Sequence, residues 1–127
     1  MSTTVTAQVN TLPCNSIVKA LLPKADGVYL SLYGLYVYYS ETKGTVSVDD
    51  KGNITLEFVH THSKDDCIME ISVYAKFSSL GLGNIVLLDL SPNALIKLKG
   101  GKPYLFRFYI EITGDSEVQV PAPDGTC

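Results

Sequence analysis

The sequence predicts an all-β domain, a single antiparallel β-sandwich of jelly-roll or immunoglobulin-like type with about eight to ten strands. Three observations predict it. Apolar and polar residues alternate with period two along most of the chain, as half-buried strands require. Turn-forming Gly, Pro, Asn and Asp residues break the alternation at intervals of about 8–12 residues. Helical spacing is confined to residues 16–22, where Ile17, Val18, Ala20, Leu21 and Leu22 suit either a strand or one short helix.

Val5, Ala7 and Val9 alternate with Thr4, Thr6, Gln8 and Asn10 and predict a short first strand. Leu12-Pro13 cuts it off from the body, because proline cannot continue a ladder. Residues 1–12 therefore read as an arm that could be exchanged between copies. After Pro23 and a turn at 24–27, residues 27–40 read GVYLSLYGLYVYYS, with five of the eight tyrosines. As one strand, this segment places Val28, Leu30, Leu32, Tyr36 and Tyr38 on one face. Tyr29, Tyr33, Leu35, Val37 and Tyr39 fall on the other. Both faces then demand cover, so the strand is expected to be central or to meet a partner.

Residues 45–49, with Val46 and Val48 inward, and 54–59, with Ile54, Leu56 and Phe58 inward, predict a hairpin around Asp50-Lys51-Gly52-Asn53. From Cys67 to Ser78 the alternation points Met69, Ile71, Val73, Ala75 and Phe77 inward, with Ile68, Glu70, Ser72, Tyr74 and Lys76 outward. Residues 85–90 are almost wholly apolar and are expected to be buried on both faces. Ala94, Ile96 and Leu98 alternate before Gly100-Gly101. Tyr104, Phe106, Phe108, Ile110 and Ile112 form the longest inward stripe, and Val118–Val120 adds a last short segment before a surface tail.

The 127 residues suit one domain spanning 1–127. Charged residues make up 18% and hydrophobic ones 46%, which argues against disorder and leaves room for permanent contacts with neighbours. The net charge is −3 and Arg107 is the sole arginine, so the clustered cations of nucleic-acid binding are missing. No apolar run reaches the roughly 18 residues of a membrane span. The first ten residues carry no secretory pattern. The expected location is a virion or extracellular surface reached without a leader, with the cytoplasm as the alternative. Cys14, Cys67 and Cys127 fit no metal or redox spacing, and read as two buried thiols and one in the tail.

Little in the chain carries reaction chemistry. No nucleophile elbow is present, and Cys67 stands six or seven residues from a histidine without a motif. Glu57, Glu70 and Glu111 sit at outward parity, which suits solubility better than a glycosidase pair. Asn53-Ile54-Thr55 matches a glycosylation sequon in a tight turn. His60 and His62, two apart on a strand, share a face and have the one spacing suited to a metal. The stretch GNITLEFVHTHSKDDCIME resembles the first metal motif of cupins, where a glycine precedes an H-x-H pair and a glutamate follows. That resemblance would imply a small metal-dependent enzyme. It covers about twenty residues and departs from the family in the Gly52–His60 spacing, in the late Glu70 and in the missing third histidine. Read from parity alone, His60 and His62 are rim residues where a strand leaves the core.

The expected function is therefore structural: a self-assembling virion surface, capsid or decoration component, or a filament subunit, with neither catalytic residues nor cofactor. Its partners would be further copies or other structural subunits. The expected contact residues are Val5, Ala7 and Val9 of the arm and Tyr29, Tyr33, Tyr36 and Tyr39 of the tyrosine segment. The alternatives are a carbohydrate or small-ligand binding module that uses outward tyrosines, and the cupin-like enzyme with His60 and His62 as ligands.

Overall fold

The computed structural model describes residues 4–9, 20–90, 96–113, 116–121, 125 and 127, with 4–9 and 116 described by their backbone. The described residues form ten strands: β1 (Thr4–Val9), β2 (Gly27–Gly34), β3 (Ser40–Lys43), β4 (Thr45–Val48), β5 (Ile54–Thr61), β6 (Asp66–Lys76), β7 (Asn84–Leu90), β8 (Ile96–Leu98), β9 (Pro103–Ile110) and β10 (Ser116–Pro121). They form two antiparallel sheets. One runs β1-β10-β9-β5-β4 and the other β3-β2-β6-β7, with β8 also paired to β6. The all-β sandwich follows from the alternation that announces it. Helical structure among the described residues is limited to a turn at 20–21 that runs into the 3₁₀ turn Leu22–Lys24, and to the 3₁₀ turn Ser78–Leu80. The ambiguous residues 16–19, like Cys14, lie outside the described residues.

The inward parities of the two sheets meet in one core. Val28, Leu30 and Leu32 of β2 and Ile71, Val73 and Ala75 of β6 face Leu56 and Phe58 of β5 and Phe106 and Phe108 of β9. Each fully buried side chain of this size is worth about 1.5–3 kcal/mol relative to exposure. Phe58 and Phe108 meet edge to face with centroids 5.8 Å apart, the arrangement that aromatic quadrupoles favour. The β4–β5 hairpin forms around Gly52, whose φ of +92° is the left-handed conformation a tight turn requires.

Five expectations about the core are corrected. The tyrosine segment is not one strand: β2 ends at Gly34, residues 35–39 bend, and β3 begins at Ser40. Met69 and Ile68 exchange roles, Ile68 being fully buried and Met69 exposed. A bulge pairs Tyr33 with Glu70 and Gly34 with Ile68. Met69 is thus passed over and both it and Glu70 turn outward. Residues 85–90 are not covered on both faces, since β7 lies at a sheet edge with Val86 and Asp89 exposed. Val48 on the edge strand β4 is exposed, and so is Ile112, because β9 stops at Ile110. The arm residues form β1, which pairs with β10 of its own chain in a six-residue register from Thr4↔Pro121 to Val9↔Ser116.

Candidate functional site: a tyrosine loop on a buried polar anchor

Residues 35–39 leave the sheet because their backbone is captured from below. The Asp66 carboxylate accepts from the backbone N–H of Tyr36 at 2.9 Å and of Val37 at 2.8 Å. The turn is closed by Gly34 N–H donating to the Val37 carbonyl, and by Leu35 N–H donating to the Cys67 carbonyl. Gly34 has to be glycine here. A Cβ at this position would overlap the Asp66 carboxylate and press on the Val37 carbonyl.

Asp66 itself is 1% exposed, and a buried carboxylate needs full hydrogen bonding. It obtains four bonds. Beyond the two loop amides, its own strand supplies Cys67 N–H at 2.8 Å and β5 leads to His62 Nε2 at 2.9 Å. Burial works against the charge, but the bonds from His62 and the Val37, Tyr36 and Cys67 amides outweigh it. The net effect holds the Asp66 pKa below its ordinary value.

The chain of bonds continues inward. His62 Nδ1 lies 2.9 Å from His60 Nε2, and His60 Nδ1 lies 2.7 Å from Thr42 Oγ1 on β3. An ionised Asp66 only accepts, so His62 donates to it from Nε2. One proton is shared between His60 Nε2 and His62 Nδ1, and the Thr42 hydroxyl, able to donate or accept, completes the pairing at His60 Nδ1. Thr42, His60, His62 and Asp66 thus form a continuous relay in which each ring nitrogen and carboxylate oxygen has a partner. Burial, together with the neighbouring His62, lowers the His60 pKa from 6.5 to about 4, in keeping with the neutral ring.

The expected rim histidines are thus core residues, 4% and 1% exposed. The physical reason is that Asp66, Thr42 and each other satisfy both rings. That arrangement is a hydrogen-bonded relay and not a shared metal cradle, because the ring nitrogens that would chelate face protein partners. Among the described residues, no group of three or more His, Cys, Asp or Glu could hold a metal ion. Cys67 does not pair with either histidine. It forms a disulfide with Cys127, which corrects the expectation of free thiols and removes Cys67 as a nucleophile. Asn53, the sequon residue, is bound on both ends of its amide, donating to Asp49 and accepting from Ile112 N–H.

The loop displays what it carries. Leu35, Tyr36, Tyr38 and Tyr39 are 52%, 70%, 79% and 43% exposed. Tyr33, half-buried at the end of β2, packs against Tyr38 and Tyr39 at 5.6 and 5.4 Å. Lys64 Nζ stands 5.8 Å from the Tyr36 ring centroid. On the same sheet face, Tyr29 stacks on Tyr74 at 5.5 Å. The Tyr74 hydroxyl donates to Glu41, and Lys76 Nζ sits 4.1 Å over the Tyr29 ring and 3.5 Å from Glu41. Burial and the bonded Glu41 push the Tyr74 pKa up.

Of the expected contact residues, the structure packs Tyr39 on Tyr33 and places Tyr36 on the same loop but beside Lys64. Tyr29 falls in the separate Tyr74–Lys76 group. The side chains of Val5, Ala7 and Val9 lie outside the described residues. Sequence reasoning missed Asp66, Thr42 and Tyr38. The usable signal was Asp66 itself, an acid directly before an apolar strand. No family model matches the chain, and no curated protein or solved structure matches it either.

Proposed function

We propose that this chain is a structural subunit that works by contact with further copies of itself, with no turnover. The observation that carries the reading is the placement of large apolar side chains on several separate faces. Leu35, Tyr36, Tyr38 and Tyr39 crown the anchored loop. Val59 and Leu105, register partners on β5 and β9, are exposed on the outer face of the other sheet. Leu80, Leu82 and Val86 are exposed around the β6–β7 turn. A ligand-binding module needs one such patch, whereas a subunit enclosed by neighbours needs several. The sparse charge supports the same reading. A capsid, a decoration layer or a filament is a setting in which such a subunit fits.

β1 offers a connector. It pairs with β10 and with no other strand among the described residues. Its six-residue register on β10 would serve a neighbour's arm equally well, through main-chain bonds alone.

Analytical ultracentrifugation across a concentration series tests the reading. The intact protein should form defined assemblies. The double variant Leu35→Asp/Tyr36→Asp should stay folded and shift toward monomer, since both side chains are exposed and their loss costs the fold little. An intact protein that remains monomeric at every concentration overturns the proposal.

A second reading has its own observation. A surface cleft lined by Tyr33, Tyr38, Met69 and Glu70 combines aromatic faces with a carboxylate, which is chemistry suited to a small ligand.

A further inference from the structure

We propose that the Tyr33–Tyr38 corner is a binding site for a trimethylammonium group carried by a small soluble molecule. The inference deepens the small-ligand reading of the cleft lined by Tyr33, Tyr38, Met69 and Glu70, shares Tyr38 with the loop of the assembly reading, and rests on how the outer face of the β3-β2-β6-β7 sheet is built. That face uses one arrangement to hold a cation already. Two tyrosines, Tyr29 and Tyr74, and one carboxylate, Glu41, receive the Lys76 ammonium at 4.1 and 5.9 Å from the ring centroids and 3.5 Å from the acid. Four residues along β2 the same residue types recur, with the rings edge to face where Tyr29 and Tyr74 are stacked. Tyr33 and Tyr38 supply the rings, and Glu70, register partner of Tyr33, supplies the acid. Here no lysine or arginine among the described residues lies over the rings or pairs with the acid.

The site is constructed and does not come from chance exposure. The bulge opposite Tyr33/Gly34 turns Met69 and Glu70 to the same face, and Asp66 holds the backbone of the loop that carries Tyr38. Tyr39 packs on Tyr33 at 5.4 Å and fixes that ring. The two ring planes stand at 85°, so they form a corner. A pyranose needs a broad flat platform, which perpendicular rings interrupt. A compact cation with methyl hydrogens on every side suits a corner, because it touches two π faces at once. A trimethylammonium group asks for no hydrogen bonds, and two rings and the Met69 thioether give it apolar walls beside the Glu70 carboxylate. Glu70 and the net charge of −3 supply the complementary sign.

The test is titration of the intact protein with choline, followed by amide NMR shifts. The controls are the neutral isostere 3,3-dimethylbutan-1-ol, a methyl pyranoside and phosphatidylcholine vesicles. The expected result is saturable choline binding, with shifts centred on Tyr33, Tyr38, Met69 and Glu70. The isostere should bind about tenfold more weakly, and Tyr38→Ala should weaken choline by about tenfold. Glu70→Gln should weaken it by a smaller factor. Tyr38 and Glu70 are exposed, so both variants should fold. Equal binding of choline and the isostere, preference for the pyranoside, or absence of saturable choline binding overturns the proposal. So does binding to vesicles without binding of free choline.

Discussion

At the residue scale, Asp66 has the most to answer for. Four donors from three parts of the chain converge on one buried carboxylate, and two of them are the backbone of the displayed loop. Asp66→Asn keeps the volume but replaces one acceptor oxygen with a donor that faces N–H groups. Leaving buried amides unpaired costs about 1–3 kcal/mol each. The expected outcome is a loss of about 2–4 kcal/mol in denaturant unfolding, with faster hydrogen exchange at Tyr36 and Val37. An unchanged midpoint and unchanged exchange would show that the carboxylate does not hold the loop. Gly34→Ala should disturb the same turn by intruding on the acid from the opposite side.

His60 makes the second prediction at this scale. Its folded pKa is lowered from 6.5 to about 4. As pH falls below 6.5 the unfolded chain takes up a proton that the folded chain refuses, so stability declines. The decline runs from about pH 6.5 to pH 4 and levels off for this group below the folded value. The full difference is at most about 3 kcal/mol. Asp66, whose pKa is also lowered, adds a loss in the same direction below the ordinary carboxylate range. His60→Gln should flatten the stability curve between pH 6.5 and 4. A wild-type curve that rises on acidification there would contradict the burial of a neutral ring.

At the element scale, much of the sandwich was legible in the sequence and the site was not. Alternation in 54–58, 71–77 and 104–110 reports which face is buried, and those strands lie where the pattern puts them. The pattern fails where a contact from elsewhere in the chain decides. The local part of the turn that ends β2 is Gly34 and its bond to the Val37 carbonyl, which alternation does not report. The Asp66 carboxylate, some thirty residues away, takes the amides that would have continued the ladder. Nothing local reverses Ile68 and Met69, since the bulge is set by pairing with β2. The histidine relay needs Thr42, His60 and Asp66 from three strands and His62 from the β5–β6 connection, so spacing alone shows only an H-x-H pair.

The Cys67–Cys127 bridge joins β6, beside the loop anchor, to the far end of the chain across 60 residues. Closing a loop of that length removes unfolded-state entropy worth up to about 4 kcal/mol. The Cys67→Ser/Cys127→Ser variant should melt lower by several degrees. Thermal unfolding with and without a reductant should show the same drop for the wild type and none for the variant.

At the scale of the whole molecule, the two sheets bury a continuous core and still leave apolar groups on several faces. The loop tip, the Val59–Leu105 pair and the Leu80–Leu82–Val86 end are separate surfaces. The edge strands β1, β4, β3 and β7 bound the two sheets. The few charges and the open apolar groups on several faces are what the proposal rests on, with further copies of the chain as the partner it names. Removal of residues 1–10 separates the two ways of covering it. Assembly that depends on arm exchange fails in the shortened chain, whereas assembly through the tyrosine loop persists.

The most direct measurement is the molar mass of the purified intact protein in solution, followed across concentration by light scattering. The account predicts a discrete multiple of 13.8 kDa that Leu35→Asp/Tyr36→Asp reduces without unfolding the sandwich. A mass of 13.8 kDa at every concentration would contradict it.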